Sequence, residues 1–522
     1  MARTGNARRL ARSGWLAVAL GATVAIALAA GCSGGSDKSA PTGEIRDDLL
    51  TDSATMMGWI EEITSQGIRR PGYPAAEWTE NWARDKFVEF GLEDVTLDPV
   101  AVQRWEPLEW SLVLSRPDGS GESVSIPCYP VPFSGNTPGV EGDIEFLPPR
   151  AEGEELPDLT GKIAVLENTF LALPTSIFPP LWGAWAYDPT NEVATHTQIV
   201  PFSSSFAEVL EPVAEAGGLG VVGILRGLPW ETDKYYVPYD AVERHIPGVW
   251  VSSSNGDRLL EFLNGGPARG RLQLVRSLEP ATSHNVTGVL RGNSDEWIII
   301  GSHSDGPWAS AVEDGGGIAL VLAQARYWSR VPQDQRPHNL LFLLNSGHMS
   351  GGAGLIHFVE TNREFISNDV VLEVHLEHPA TQGRGENGRL LPTEEPEFRW
   401  WFTSWIPTLE NAVASAICAE DMERSFIMPP EDFPPGSVTP PTDAAFFHPI
   451  APIMSFLTAP MYLFDEADTP QMIHEPSLVP LTRAAIRVIE SMRGQTAAGI
   501  RAERYEPPRR TIPTCAELLP AT

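Results

Sequence analysis

The sequence predicts an α/β protein: a mixed, mostly parallel sheet flanked by helices, interrupted by a long, mainly β insertion. Three observations predict it. From Asn285 onward, short apolar runs alternate with helical patterns, the order that builds a helix-covered sheet. Before Gly91 the apolar spacing is helical. Between these two stretches lies a run of short β-like segments with no helix-to-strand alternation.

Residues 1–31 have the order of a bacterial export signal, with Arg3, Arg8, Arg9 and Arg12 ahead of an apolar run over 15–30. That run is too short for a comfortable membrane span. Ala29, Ala30 and Gly31 place small residues directly before Cys32, which resembles a lipoprotein processing site. Cleavage there makes Cys32 the acylated N-terminus and residues 32–45, rich in Gly, Ser and Pro, a flexible tether. The expected location is the outer face of the cell membrane, held by the lipid alone. A plain secretory peptide, in which Cys32 has no role, is the alternative.

The rest of the chain is longer than one hydrophobic core normally organises. Residues 46–105 and 281–495 are expected to form one discontinuous α/β domain, with 106–280 as the insertion and 496–522 as a surface tail. In the first part Met57, Ile60 and Ile63, then Trp78, Trp82 and Phe87, lie at helical spacing, and Arg70-Pro71-Gly72 breaks the pattern into two helices. The insertion carries β-like runs at 110–114, 123–127, 163–166, 220–225 and 246–252. After it come strands at 297–300, 340–344 and 370–374, separated by helices at 318–328 and 355–359. A Trp-, Pro- and charge-rich segment over 394–440 interrupts before a strand at 450–456 and a last helix at 479–492.

Formal charge is −31, from 37 basic and 68 acidic residues. This argues against nucleic acid or an anionic lipid surface as partner. Besides Cys32 only Cys128, Cys418 and Cys515 remain, so an exported chain has room for one disulfide, whose pairing the sequence leaves open. No Cys-x-x-Cys pair and no His-Glu-x-x-His run is present, which removes the commonest structural-zinc and zincin patterns. No Gly-x-Ser-x-Gly elbow follows a strand, which disfavours a serine hydrolase.

Six of the eleven histidines fall between residues 303 and 378. His303 and Asp305 follow the 297–300 strand, Glu313 and Asp314 precede glycines that open the next helix, and His348 follows the 340–344 strand. Period two puts His375 and Glu377 on one face of their strand and His378 on the other. Open α/β sheets bind ligands beyond the carboxyl ends of their strands, so these loops should share one crevice. Imidazoles mixed with carboxylates suit Zn²⁺. Glu313 has a second reading, as a carboxylate at a helix N-terminus.

These residues carry a resemblance. Residues 285–359 resemble the co-catalytic zinc aminopeptidases, a family that includes glutamate carboxypeptidase and the non-catalytic transferrin receptor. His303-x-Asp305 matches the family's His-x-Asp, residues 311–317 resemble its Ala-Asn-Asp helix start, and 341–344 match the strand before its Glu-Glu pair. Arg70-Pro71-Gly72 and Phe90-Gly91-Leu92 are similar too. Leu159-Thr160-Gly161-Lys162, Ala214-Glu215-Ala216-Gly217-Gly218 and Ile246-Pro247 resemble a protease-associated domain, which some members insert at this point.

The resemblance implies a metal set of His303, Glu313 and Glu377, with Asp lengthened to Glu at the last two positions. It also implies that the second metal's private ligands are gone: Met349 stands at the second Glu of the pair and Phe464 at the C-terminal His. His348 takes the place of the general-base Glu. The expected cofactor is therefore one zinc ion, with His348 and Asp305 as catalytic residues, His348 being also a candidate fourth ligand. His375 and Asp314 are expected to support these ligands from behind or to replace one, and Asp443 resembles a family residue near the substrate or caps a helix. The implied activity is hydrolysis of a peptide or small amide. The alternatives are a non-catalytic binding protein on the same fold, or another one-metal reaction such as glutaminyl cyclisation.

Overall fold

The computed structural model describes residues 44–118, 120–150, 155–201, 206–430, 440–506 and 508–519. The expected export signal, Cys32 and nearly all of the tether lie outside them. Four strands stand side by side in parallel at the centre: Asn339–Asn345, Trp297–His303, Val370–Leu376 and Ile453–Thr458. Their apolar residues are buried because helices cover the sheet, as their mostly apolar runs require. Ser53–Thr64, Gly317–Arg330 and Glu475–Ser491 pack together against it. No helix among the described residues is long and apolar enough to cross a membrane.

The segment expected as an interruption, 394–440, instead extends this sheet. Arg399–Thr403 pairs antiparallel with Ile453–Thr458, and Ser425–Met428 pairs parallel with Arg399–Thr403. Trp400, Trp401 and Phe402 are all buried. An aromatic run flanked by Pro and charge reads as a loop until both of its faces are seen to be covered.

The expected insertion is joined to the rest by two long strands, Glu93–Ser115 and Arg269–Leu290. Their ladder runs from Glu93 opposite Val289 to Ser115 opposite Arg269, so Trp105, opposite Leu278, and Ala281, opposite Val102, lie inside paired strand. The expected boundaries of the insertion thus fall inside continuous paired strand. Beyond them the insertion has an apolar core of its own, including Leu112, Ile126, Ile163, Val222, Val249 and Leu272. One piece leaves it: Trp185–Tyr187 adds an edge strand beside Ser425–Met428. All of these strands belong to one mixed sheet of fifteen strands.

The tail lies on the surface and is anchored there. Ile500 and Ile512 are buried, Arg509 and Arg510 pair with the buried Glu410 at 3.2 and 2.7 Å, and Cys515 forms a disulfide with Cys418. Cys128 is a buried free thiol. A cross-link closing a loop of 97 residues removes loop entropy from the unfolded chain, for about 4–5 kcal/mol in the chain-entropy view. Cys418→Ser is therefore expected to lower the thermal midpoint of the oxidised protein and to leave reductant without further effect. A reductant-sensitive midpoint in that variant would contradict this pairing.

Candidate metal centre

The parallel strands end together, and the residues just beyond their carboxyl ends converge. His303 ends its strand, His348 opens the short turn after Asn339–Asn345, and Glu377 and His378 follow Val370–Leu376. Glu313 enters from the irregular segment Ala311–Gly316, ahead of the Gly317–Arg330 helix. Its backbone is held from below: the Asp468 carboxylate accepts from Val312 N at 2.7 Å and Glu313 N at 2.9 Å. Burial raises the Asp468 carboxyl to about 7, against the pull of these two amides.

Three imidazoles surround the Glu313 carboxylate. His303 Nε2 and His348 Nε2 each lie 3.5 Å from Glu313 Oε1, and His378 Nε2 lies 2.6 Å from Oε2. His303 Nδ1 donates to the Asp305 carbonyl at 2.8 Å, and His378 Nδ1 donates to the Thr458 carbonyl at 3.0 Å. A ring nitrogen facing a carbonyl must carry a proton, so Nε2 of His303, held neutral, presents a lone pair to Glu313. Nε2 of the charged His378 instead carries a second proton toward Glu313 Oε2 in the absence of a cation. His303 Nε2, His378 Nε2 and both Glu313 oxygens are buried without a hydrogen-bond partner. Acceptors pressed together in a buried site call for a cation between them.

Ring orientation separates ligand from base. His303 and His348 stack face to face, with centroids 4.1 Å apart and planes at 9°. A metal ion lies in the plane of the imidazole that binds it, so two stacked rings cannot both bind one ion well. His303 and His378 stand at 75° with centroids 6.2 Å apart, and their lone pairs can converge. One ligand atom each from His303, Glu377 and His378 also fall within 4.8 Å of one another. His303, Glu313, Glu377 and His378 therefore offer donors from which a zinc ion can take three and keep one position open.

His348 is held differently. Its Nδ1 lies 2.7 Å from Asp443 Oδ1, Asn345 Nδ2 donates to Asp443 Oδ2 at 3.0 Å, and the Tyr239 ring stacks on it at 5.3 Å. Burial opposes its charge, but Asp443, then Glu313 and Asp305, hold the imidazole at about 10. Burial and the neighbouring His348 push His303 well below the usual range, which keeps it a neutral ligand. His378 loses charge to burial but is held at about 10 by Glu313 and Glu377.

Of the residues expected in the site, His303, Glu313, Glu377 and His348 are brought together. Asp305 is adjacent, but its carboxylate is consumed by the amides of His348 at 3.1 Å and Met349 at 2.8 Å. It shapes the loop, and its backbone carbonyl, not its side chain, orients His303. Asp314 bonds Ser302 Oγ, Gly317 N and His378 N, and so fastens the loops behind the site. His375 sits between Glu373, at 2.8 Å, and Glu377, at 3.4 Å. His378, expected on the far face, is the correction: the strand ends at Leu376, and at φ +53° His378 leaves the two-residue alternation and turns into the site. Sequence reasoning also missed the grip of Asp443 on His348 and of Asp468 on Glu313. Met349 is buried, and Phe464 offers its backbone carbonyl to Trp308 Nε1 at 3.0 Å.

The fold is that of the zinc aminopeptidases. An aminopeptidase from Aneurinibacillus sp. strain AM-1 superposes with a TM-score of 0.58 at 18% identity, over 89% of this chain and 100% of the other. A peptidase M28 precursor from Shewanella amazonensis gives 0.59 at 17% identity, over 90% and 98%. BSAP, a zinc aminopeptidase from Bacillus subtilis, gives 0.60 at 14% identity, over 87% and 98%. No family model matches the sequence, and no curated protein does so significantly.

Proposed function

We propose that the protein is a metallohydrolase of peptide or amide bonds with one catalytic zinc, held by three of the donors His303, Glu313, Glu377 and His378 with one position left open. The observation that carries this reading is the convergence of three imidazoles on the buried Glu313 carboxylate. The likeness of fold to zinc aminopeptidases supports it. Zinc bound there supplies Lewis acidity, polarising a scissile carbonyl and acidifying a water.

The proton is handled by His348, whose ring is the more exposed of the three around Glu313. In the metal-free chain the ring keeps its proton up to about 10. With Glu313, one of the carboxylates that raise it, taken up by a cation, and with Nδ1 fixed on Asp443, the freed Nε2 accepts the proton of the attacking water and passes it to the leaving amine. Asp443 stabilises the imidazolium formed between those two transfers. Zinc-reconstituted mature protein is expected to hydrolyse aminoacyl-p-nitroanilides or unblocked peptides, to stop on chelation and to recover on zinc addition. Full zinc occupancy with no turnover across such a panel would favour a non-catalytic binding protein.

We also propose an extracytoplasmic lipoprotein anchored at Cys32, with residues 106–280 as a protease-associated-like insertion. Cys32→Ser is expected to release the protein from the membrane fraction or to block signal processing. Unchanged, detergent-dependent membrane association of that variant would remove the anchor.

A further inference from the structure

We infer that a second divalent cation binds between His375 Nε2, Glu377 and Asp443, in a cluster that shares Glu377 with the catalytic one. One ligand atom from each of these residues lies within 4.8 Å of the others. It differs from the family's second position, which Met349 and Phe464 occupy here with a thioether and a phenyl ring.

The ring of His375 is prepared as a ligand. Its Nδ1 meets Glu373 Oε1 at 2.8 Å, the carboxylate-to-imidazole contact that fixes the tautomer of metal-binding histidines and leaves Nε2 free to donate. Nε2 is fully buried, has no hydrogen-bond partner and points at Glu377 Oε1, 3.4 Å away. Three carboxylates crowd this ring: Glu373, Glu377 and Asp443 are at most 3% exposed. Among the described residues their only ion-pair partners are histidines; no Lys or Arg reaches them.

Asp443 also meets His348, and a divalent ion at His375 Nε2 would offset the buried carboxylates Glu373 and Glu377 on its other sides. Oxygen donors complete the surroundings. Thr442 Oγ1 donates to Glu377 Oε2 at 3.0 Å and meets Ser455 Oγ at 2.7 Å. Asn345, which donates to Asp443, has its Oδ1 buried without a partner. One imidazole among several oxygens suits zinc or manganese.

The inference rests on this cluster and stands apart from the hydrolase reading. The test is anomalous diffraction at the zinc and manganese edges from crystals of metal-loaded wild-type protein, with elemental analysis of His375→Leu and His303→Ala. Expected are two peaks in wild type, one beside His303 and one beside His375. Each variant should lose about one equivalent and keep the other peak. A single wild-type peak beside His303, with metal content unchanged in His375→Leu, overturns this inference and leaves the catalytic site standing. No peak at either place overturns both. If His375→Leu does not fold, the wild-type map alone decides.

Discussion

His303→Ala is expected to lose the catalytic zinc and the hydrolytic activity together, whereas His348→Ala keeps the ion and loses turnover. The distinction follows from the stacked rings. Two parallel imidazoles 4.1 Å apart cannot both hold one ion in their planes, and His303 is the one whose Nδ1 is fixed by a backbone carbonyl. His348, fixed on a carboxylate, is built to take up and release a proton. Removing a general base costs on the order of 10²–10⁴ in kcat. Asp443→Asn, which weakens the hold on that base, should cost roughly 10–100-fold by the precedent of residues behind metal ligands. His378→Ala should resemble His303→Ala, because its ring approaches Glu313 from a different direction. Zinc content and kcat measured on the same preparations check all four. If His348→Ala releases the ion as readily as His303→Ala, the roles of the stacked pair are reversed.

The central sheet was legible because its strands are short, mostly apolar runs such as 298–300 and 340–344, buried on both faces. The Glu44-to-Gly91 helices were legible for the same reason at a different period: Ile60, Ile63, Trp82 and Phe87 are buried along the helix faces. What failed was reading across boundaries. His378 was misplaced by extending an alternation past the end of its strand, where one residue with positive φ resets the direction. The aromatic strand at Arg399–Thr403 was hidden by the Pro and charge around it. Two long strands shared by both regions carry the sheet into the insertion, and local pattern holds no record of such pairing. Asp443 and Asp468 act through partners 95 and 155–156 residues away, and no spacing rule spans that distance.

Such partners also set the rings of the candidate metal centre. His348, His375 and His378 each have Nδ1 tied to a carboxylate or a carbonyl, and Nε2 of His375 and of His378 faces Glu377 and Glu313 in turn.

The metal-free protein is expected to lose stability as pH rises from about 7 to 9, and zinc is expected to reduce that loss by displacing the proton of His378. In the folded chain without a cation, burial opposes the charge of His348 and His378, but neighbouring carboxylates hold both at about 10, above the usual 6.5. His375 lies well above it too, held by Glu377 and Glu373 against burial. A group raised in this way gives stability that is complete below its unfolded value and is lost as pH passes up toward the folded one. Below pH 7 the sign is mixed. Burial raises Glu397, Asp465 and Asp468 to about 7, which makes stability fall with pH, while burial lowers His448 and His474 to about 4, which makes it rise. Above pH 7 the three raised histidines dominate, each retaining a proton that the unfolded chain has released. One such proton is worth about 1.4 kcal/mol per pH unit at most. Zinc takes the place of those protons on the nitrogens that bind it, so its affinity grows with pH. Thermal unfolding of chelator-treated and zinc-loaded protein at both pH values checks this. The metal-free midpoint should fall, and the gap to the zinc-loaded protein should widen. A flat metal-free profile with a constant gap would mean that these imidazoles do not exchange protons for the ion.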